Sequence, residues 1–373
     1  MTTVCLSANT LYYPEGGGHR WVYLNWALGL LAAGCDVFWL EGVDPATSDD
    51  DVRWLVERLA ADIAPYGLED RIALWSYADD GDDYDAPAGR PMEGILDADL
   101  LLNFAYGMPD RVVQRFRHSA LIDIDPGLLQ LWLSRGELTV APHDVWFTTG
   151  ETVASGSSSI PDTGRMWIYT PPAVCVDAWP VHCAPDQGPY STLTHWWDDE
   201  VFWDGESRDN SKRVSFRPYL GLPREAGIAL EIACDLPEDD EDVSLLRANG
   251  WRVSSGVAVA GSASAYQQYI RASRGEFACV KPSCLWFANA WVSDRTLCYL
   301  ATGRPAVVQH TGASSVLPDR SGLLRFRTPQ EAAALLNEAE SDYDRHSREA
   351  RALVEAHFDA RGVAMSVLER ALP

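Results

Sequence analysis

Gly275–Ser315 reads GEFACVKPSCLWFANAWVSDRTLCYLATGRPAVVQHTGASS. Glu276–Lys281 and Pro305–Gln309 enclose short apolar runs of the kind a parallel sheet buries on both faces, and Ser293–Thr302 between them has helical spacing. Strand, crossover helix, strand is the repeating unit of a parallel sheet. Such sheets take ligands outside the carboxyl ends of their strands, so the two loops leaving those ends are the place for one. They carry Lys281, Ser293, Arg295, Thr296, His310, Thr311 and Gly312. A cation, a bidentate arginine at a helix start and small polar groups suit a phosphate. Each also has a plainer use: Lys281 as a surface lysine, Ser293 as a helix cap, Arg295 as partner to a structural carboxylate, the rest as a connecting loop.

The same winding recurs at the other end of the chain. Val4–Ala8 reads as a strand, Asn9–Arg20 as a loop containing PEGGGHR, Trp21–Ala33 as a helix and Asp36–Leu40 as a second strand. Gly16, Gly17 and Gly18 let backbone N–H groups come close to an anion at a helix start, or simply make a tight turn. The spacing is not GxGxxG, so the dinucleotide fingerprint is not met. Further strands are expected at Ile72–Trp75, Leu100–Phe104, Ser119–Ile124, Asp144–Thr148, Met166–Thr170, Thr192–Trp197, Ile228–Ala233 and Leu323–Phe326. Asp110–Arg117 reads as a helix and Asp204–Ser211 as a surface turn. Asp79–Arg90 is an acidic, turn-rich loop without EF-hand spacing. Asp342–Leu372 reads as helical throughout. The Pro-rich Pro171–Pro185 is the natural linker. The expected architecture is α/β, two Rossmann-like domains facing across a cleft: residues 1–180, residues 181–345, and a C-terminal helix, 346–373, packing back on the first domain.

The 373 residues are 47% hydrophobic and 23% charged, an ordinary globular composition. A formal net charge of −24 opposes a nucleic-acid partner, whose affinity rests on clustered Lys and Arg. An anionic ligand therefore needs a local basic pocket. The eight cysteines form no CxxC pair and no zinc-ligand spacing, so no metal site is expected and they read as reduced thiols. No basic leader with an apolar core and no membrane-length apolar run is visible, which points to the cytoplasm.

The run GEFACVK…SDRTLCYLATGRPAVVQHTG…LPDRSGLLRF resembles nucleotide-sugar-dependent glycosyltransferases of the GT-B fold, in particular a bacterial group with an SDR…YLA-x-GRP-x-V-x-Q-x-TG core. IDIDPG, FTTGE and THWW extend the resemblance over most of the chain. The resemblance implies a donor nucleotide, UDP among the candidates, bound mainly by the second domain. It implies an acceptor bound by the first, the diphosphate between them, and no separate cofactor. Retaining members of that layout place two glutamates where this chain has Ala290 and Cys298, so their mechanism does not carry over. The HxGxxS-like string at His310–Ser315 follows the G-x-P turn, whereas plant-type enzymes have it before. By analogy with inverting members, His19 would take the acceptor's proton, with Asp125 or Asp123 orienting it. A nucleotide-sugar 2-epimerase of the same architecture and a non-catalytic nucleotide-sugar-binding protein are the alternatives. An epimerase would convert donor without any acceptor.

Overall fold

The computed structural model describes residues 1–78 and 84–373, so part of the acidic loop expected at Asp79–Arg90 lies outside the described residues. The first sheet contains seven parallel strands: β1 (Thr3–Ser7), β2 (Asp36–Val43), β3 (Ile72–Ser76), β4 (Leu100–Asn103), β5 (Ser119–Asp123), β6 (Val145–Thr148) and β7 (Trp167–Tyr169). Their order is β3-β2-β1-β4-β5-β6-β7. The second domain contributes β8 (Tyr190–Leu193), β9 (Glu200–Trp203), β10 (Glu206–Asp209), β11 (Leu230–Ala233), β12 (Arg252–Ser254), β13 (Gly275–Ala278), β14 (Ala306–Gln309), β15 (Arg320–Ser321) and β16 (Leu323–Phe326). Its main sheet runs β12-β11-β8-β13-β14-β16-β15, parallel except for the edge strand β15. Both sheets are wound outward in two directions, reversing between β1 and β4 and between β8 and β13. Those reversals leave crevices at the strands' carboxyl ends.

The expected two-domain architecture is thus the observed one. The central strands are apolar because helices cover both faces; Val4, Cys5, Leu6, Leu100, Leu101 and Leu102 are all fully buried. Three local expectations are corrected. The loop after β13 contains a helix, Pro282–Phe287, begun by the proline that follows Lys281. Asp110–Arg117 is helical only to Val113. The surface turn expected at Asp204–Ser211 belongs to a hairpin, β9–β10, whose Val201 packs with Leu128 and Leu131 of the first domain.

The C-terminal helix is also not continuous. It breaks at Phe358–Asp359, where Val174 N donates to the Phe358 carbonyl and Ala360 N to that of Val174, both at 2.9 Å. The chain crosses domains there. Tyr343–His357 lies on the second domain, with Arg351 bonded to the Ala301 carbonyl at 2.8 Å, and Ala360–Ala371 packs on the helix Gly17–Ala32.

The domains meet along several direct bonds. Trp21 Nε1 donates to the Ala263 carbonyl at 2.8 Å, Asn289 Nδ2 to that of Pro126 at 2.8 Å, and Thr152 Oγ1 to that of Ala288 at 2.9 Å.

Candidate functional site

The facing crevices hold an unusual concentration of charge. In the second domain, Lys281 caps the helix after β13, and its ammonium lies 2.5 Å from Asp198. Burial pulls that ammonium's pKa down, but the bond to Asp198 and the charge of Asp125 outweigh it and hold the pKa above its usual value. Arg295, on the helix Asp294–Ala301, donates from Nε to Glu276 at 2.6 Å and from Nη1 to the Leu193 carbonyl at 2.9 Å. Glu276 is fully buried, so this pair anchors the crossover helix to β13 while bringing a guanidinium to the crevice.

A third cation was not singled out from sequence. Lys212 follows the β9–β10 hairpin and opens the helix Lys212–Phe216. Asn210, buried at the hairpin's end, accepts a hydrogen bond from Ser283 N at 2.9 Å and so pins Lys212 beside the Lys281 loop. Lys212 lines a recess of about 20 Å³ with Trp291, Ser293, Arg295, Thr296 and Gln309, room for one water-sized group. Burial, with Arg295 and Lys281 adding like charge, lowers its pKa to about 7. Among the described residues its ammonium has no carboxylate partner. The signal was positional: Lys212 ends the loop that leaves the second domain's central strand, as Gly16–Arg20 does in the first.

The remaining donor-side candidates separate into two groups. Ser293 and Thr296 share the Lys212 recess. His310, Thr311 and Gly312 are occupied by their own fold: Thr311 Oγ1 donates to the Trp291 carbonyl at 2.6 Å, Gly312 N donates to His310 Nδ1 at 3.1 Å, and the space beside Gly312 is filled by the Ala288 carbonyl. Ser314 and Ser315, next in that loop, donate to Glu151 of the first domain, Ser315 Oγ at 2.6 Å. The loop thus clasps the two domains and is not open as a phosphate cradle.

The triple glycine has a structural cause as well. A Cβ on Gly17 would overlap the Ser262 carbonyl and lie 2.5 Å from that of Ala260, both in the second domain, and one on Gly18 would lie 2.9 Å from the Tyr266 ring. Gly17 and Gly18 are small so that the domains can touch.

On the acceptor side, Glu41 is buried at the end of β2 and organises the loop after β1. It accepts from Thr10 N at 2.9 Å, Trp39 Nε1 at 2.8 Å and Leu11 N at 3.3 Å. That loop leads into the helix Gly17–Ala32, so His19 sits in the first turn of a helix and not in the loop expected to run to Arg20; its ring lies 4.8 Å from Tyr13 and 5.3 Å from Tyr23. His19 Nε2 is 2.7 Å from the Asn9 carbonyl, which only accepts, so Nε2 carries the proton and Nδ1 keeps a lone pair. Burial lowers the His19 pKa despite that bond, favouring the neutral ring.

The expectation that an aspartate orients His19 is corrected: the backbone of Asn9 does so. Asp123 is held in the core by Gln130 Nε2 and Thr148 Oγ1, both at 2.7 Å. Asp125 makes no hydrogen bond to His19 among the described residues, and its pKa is raised by burial and partly restored by Lys281. No group of three or more potential metal ligands occurs among the described residues, and no helix there is long and apolar enough to cross a membrane.

No protein-family model matches the chain, and no curated protein does. Solved structures do match. An alpha-glucosyltransferase in complex with UDP is 11% identical with a TM-score of 0.61, over 100% of both chains. HepE of Anabaena in complex with UDP and glucose is 10% identical with a TM-score of 0.55, over 99% of both. Sucrose-phosphate synthase from Thermosynechococcus elongatus is 12% identical with a TM-score of 0.52, over 99% of this chain and 98% of that one. At such low identity the likeness is one of architecture, and over its whole length the chain shares the fold of these proteins, the two facing Rossmann-like domains of GT-B.

Proposed function

We propose that the protein is a glycosyltransferase that moves a sugar from a nucleoside-diphosphate sugar to a hydroxyl or amine of a small-molecule or glycan acceptor. The observation that carries this reading is Lys212, a half-buried lysine without an acidic partner among the described residues, set against Lys281 and Arg295 in a protein of net charge −24. Lys281 and Arg295 already face Asp198 and Glu276, so Lys212 is the cation left to meet an anion, with the other two beside it. A diphosphate supplies it. The UDP seen in the alpha-glucosyltransferase and in HepE makes uridine the first base to test.

In the proposed reaction the acceptor oxygen or nitrogen bonds to the anomeric carbon while the bond from that carbon to the phosphate oxygen breaks. The nucleoside diphosphate leaves with the electron pair. Negative charge grows on it, and Lys212, Lys281 and Arg295 stabilise that charge most in the transition state. Lys281 exchanges Asp198 for phosphate as the donor binds. His19 Nδ1 accepts the acceptor's proton, the role its tautomer leaves open. The sugar nucleotide is the only small molecule besides the acceptor that this scheme requires.

Calorimetry with UDP, GDP, ADP and dTDP tests the donor half. One of the four is expected to bind saturably, and binding of none would remove the proposal. A second reading, a sugar-nucleotide-binding protein without catalysis, draws on Ala290 and Cys298: Cys298 is buried and no carboxylate stands at either position. Turnover separates the two readings.

A further inference from the structure

Residues 197–212 leave the second domain, reach the first and return. The two ends of this excursion are tied to each other and to one carboxylate. Arg213 N donates to the Trp196 carbonyl at 3.2 Å, while Trp196 Nε1 at 2.9 Å and Arg213 Nε at 2.5 Å both donate to the buried Asp242. Between those ends lies the hairpin β9–β10, whose strands pair with each other and, among the described residues, with no other strand. A two-stranded hairpin is marginal by itself, so its order depends on what it rests on. Here β9 rests on the first domain, where Val201 packs with Leu128 and Leu131, and Arg135 lies over the Phe202 ring at 5.3 Å. Trp203 meets Phe287 of the second domain edge-on at 4.9 Å. The base of the hairpin is tethered by Asp198, bonded to Lys281 at 2.5 Å.

The recess beside Lys212 has room for one water-sized group, whereas a diphosphate has two phosphates to place. The next ammonium is that of Lys281, and Asp198 already holds it. We propose that Asp198 stands in for the donor's second phosphate in the empty protein, and that the diphosphate, by displacing Asp198, unties the hairpin β9–β10. The hairpin is then a strap that the donor releases. The proposal rests on the glycosyltransferase reading and adds how donor entry to that site is regulated. The exchange is selective for physical reasons. Arg295 keeps Glu276, a fully buried partner that cannot turn to water, but the Asp198–Lys281 pair is partly exposed, and such pairs are weakly held. Lys212 stays in place because Asn210 remains bonded to Ser283 N, so the moving part is residues 198–209. With Asp198 gone, the contacts of Val201, Phe202 and Trp203 are what hold the hairpin down. A strapped majority state lowers the apparent affinity for the donor by the unstrapped fraction, so anything that loosens the strap tightens binding.

The test is amide hydrogen exchange with calorimetry, on the full chain, with UDP, GDP, ADP and dTDP. Saturating wild type with the diphosphate that binds should speed exchange of the amides of residues 201–208 about tenfold. Asp198→Asn should show that fast exchange without ligand and bind the diphosphate about fivefold more tightly. Val201→Ala changes no charge and lies outside the cation cluster; by loosening the strap alone it should tighten the diphosphate about threefold. Hairpin amides that slow down or stay unchanged on saturation overturn the proposal, a result that needs no variant to fold. Tighter binding by Asp198→Asn with unchanged affinity in Val201→Ala also overturns it, since Asp198 would then act only as a repelling charge. If none of the four diphosphates binds wild type or either variant, the glycosyltransferase reading itself fails, an outcome distinct from binding that leaves the hairpin docked.

Discussion

Lys212→Met is expected to weaken binding of the sugar nucleotide by about ten- to a hundredfold while making the free protein more stable. A charge-assisted hydrogen bond is worth about 1.5–3 kcal/mol, and each 1.4 kcal/mol is about a factor of ten in affinity. The stability change has the opposite sign because Lys212 is half-buried beside Lys281 and Arg295 with no carboxylate of its own among the described residues, so its charge works against the empty fold. An ordinary structural lysine would lose stability on removal, or change nothing.

Both effects depend on pH, and their signs follow from the depressed pKa. In the free protein Lys212 is charged below about 7 and neutral above it, whereas an unfolded lysine stays charged to about 10.5. The unfolded state therefore binds more protons between those values, and wild-type stability rises with pH across that window relative to Lys212→Met. The variant's advantage is largest below about pH 7. Donor affinity should fall as pH rises through 7 in wild type and stay flat in the variant. A sugar nucleotide is the right probe, because its phosphates are diesters with no proton to lose near neutrality. Thermal melts and calorimetry from pH 6 to 9 check both signs.

Gly17→Ala should have the second large effect. Its added methyl meets the backbone carbonyls of Ser262 and Ala260, which have no rotamer with which to move aside. Overpacking of this kind costs about 1–3 kcal/mol where the surroundings hold, and more if the interface opens. Because the contact joins the two domains, the expected signature is a widened cleft: faster limited proteolysis between the domains, a larger radius of gyration in solution scattering, and a large loss of kcat/KM for transfer. Gly362→Ala is the control. It sits in the helix Ala360–Ala371 with open space beside it and should raise stability by up to about 1 kcal/mol. Equal behaviour of the two variants would remove the packing explanation for Gly17.

The βαβ unit at Gly275–Gln309 was legible because a parallel strand covered on both faces leaves an apolar run that little else produces. Arg295 was legible as a helix-tip cation; its partner was not, since Glu276 lies on the preceding strand and only the fold turns the two together. The helix Pro282–Phe287 escaped because six residues, beginning at a proline, carry too little periodicity. The hairpin β9–β10 escaped because its Val201 packs on the first domain, a contact no local window contains. Lys212 was hidden for the same reason, its surroundings assembled by Asn210 reaching Ser283. Gly17 and Gly18 were legible as glycines that something must approach, but the second domain that approaches them was not: room for a phosphate and room for another domain select the same residue.

The central claim, that this cleft moves a sugar from a nucleoside diphosphate, is tested most directly by turnover. The sugar nucleotide that binds is incubated with the protein, alone and with a panel of hydroxyl and amine acceptors, and nucleoside diphosphate release is followed alongside product mass. Glycosyl transfer predicts release with an added hexose on one acceptor, strongly diminished in Lys212→Met. Tight donor binding with neither release nor a glycosylated product across the panel would contradict it.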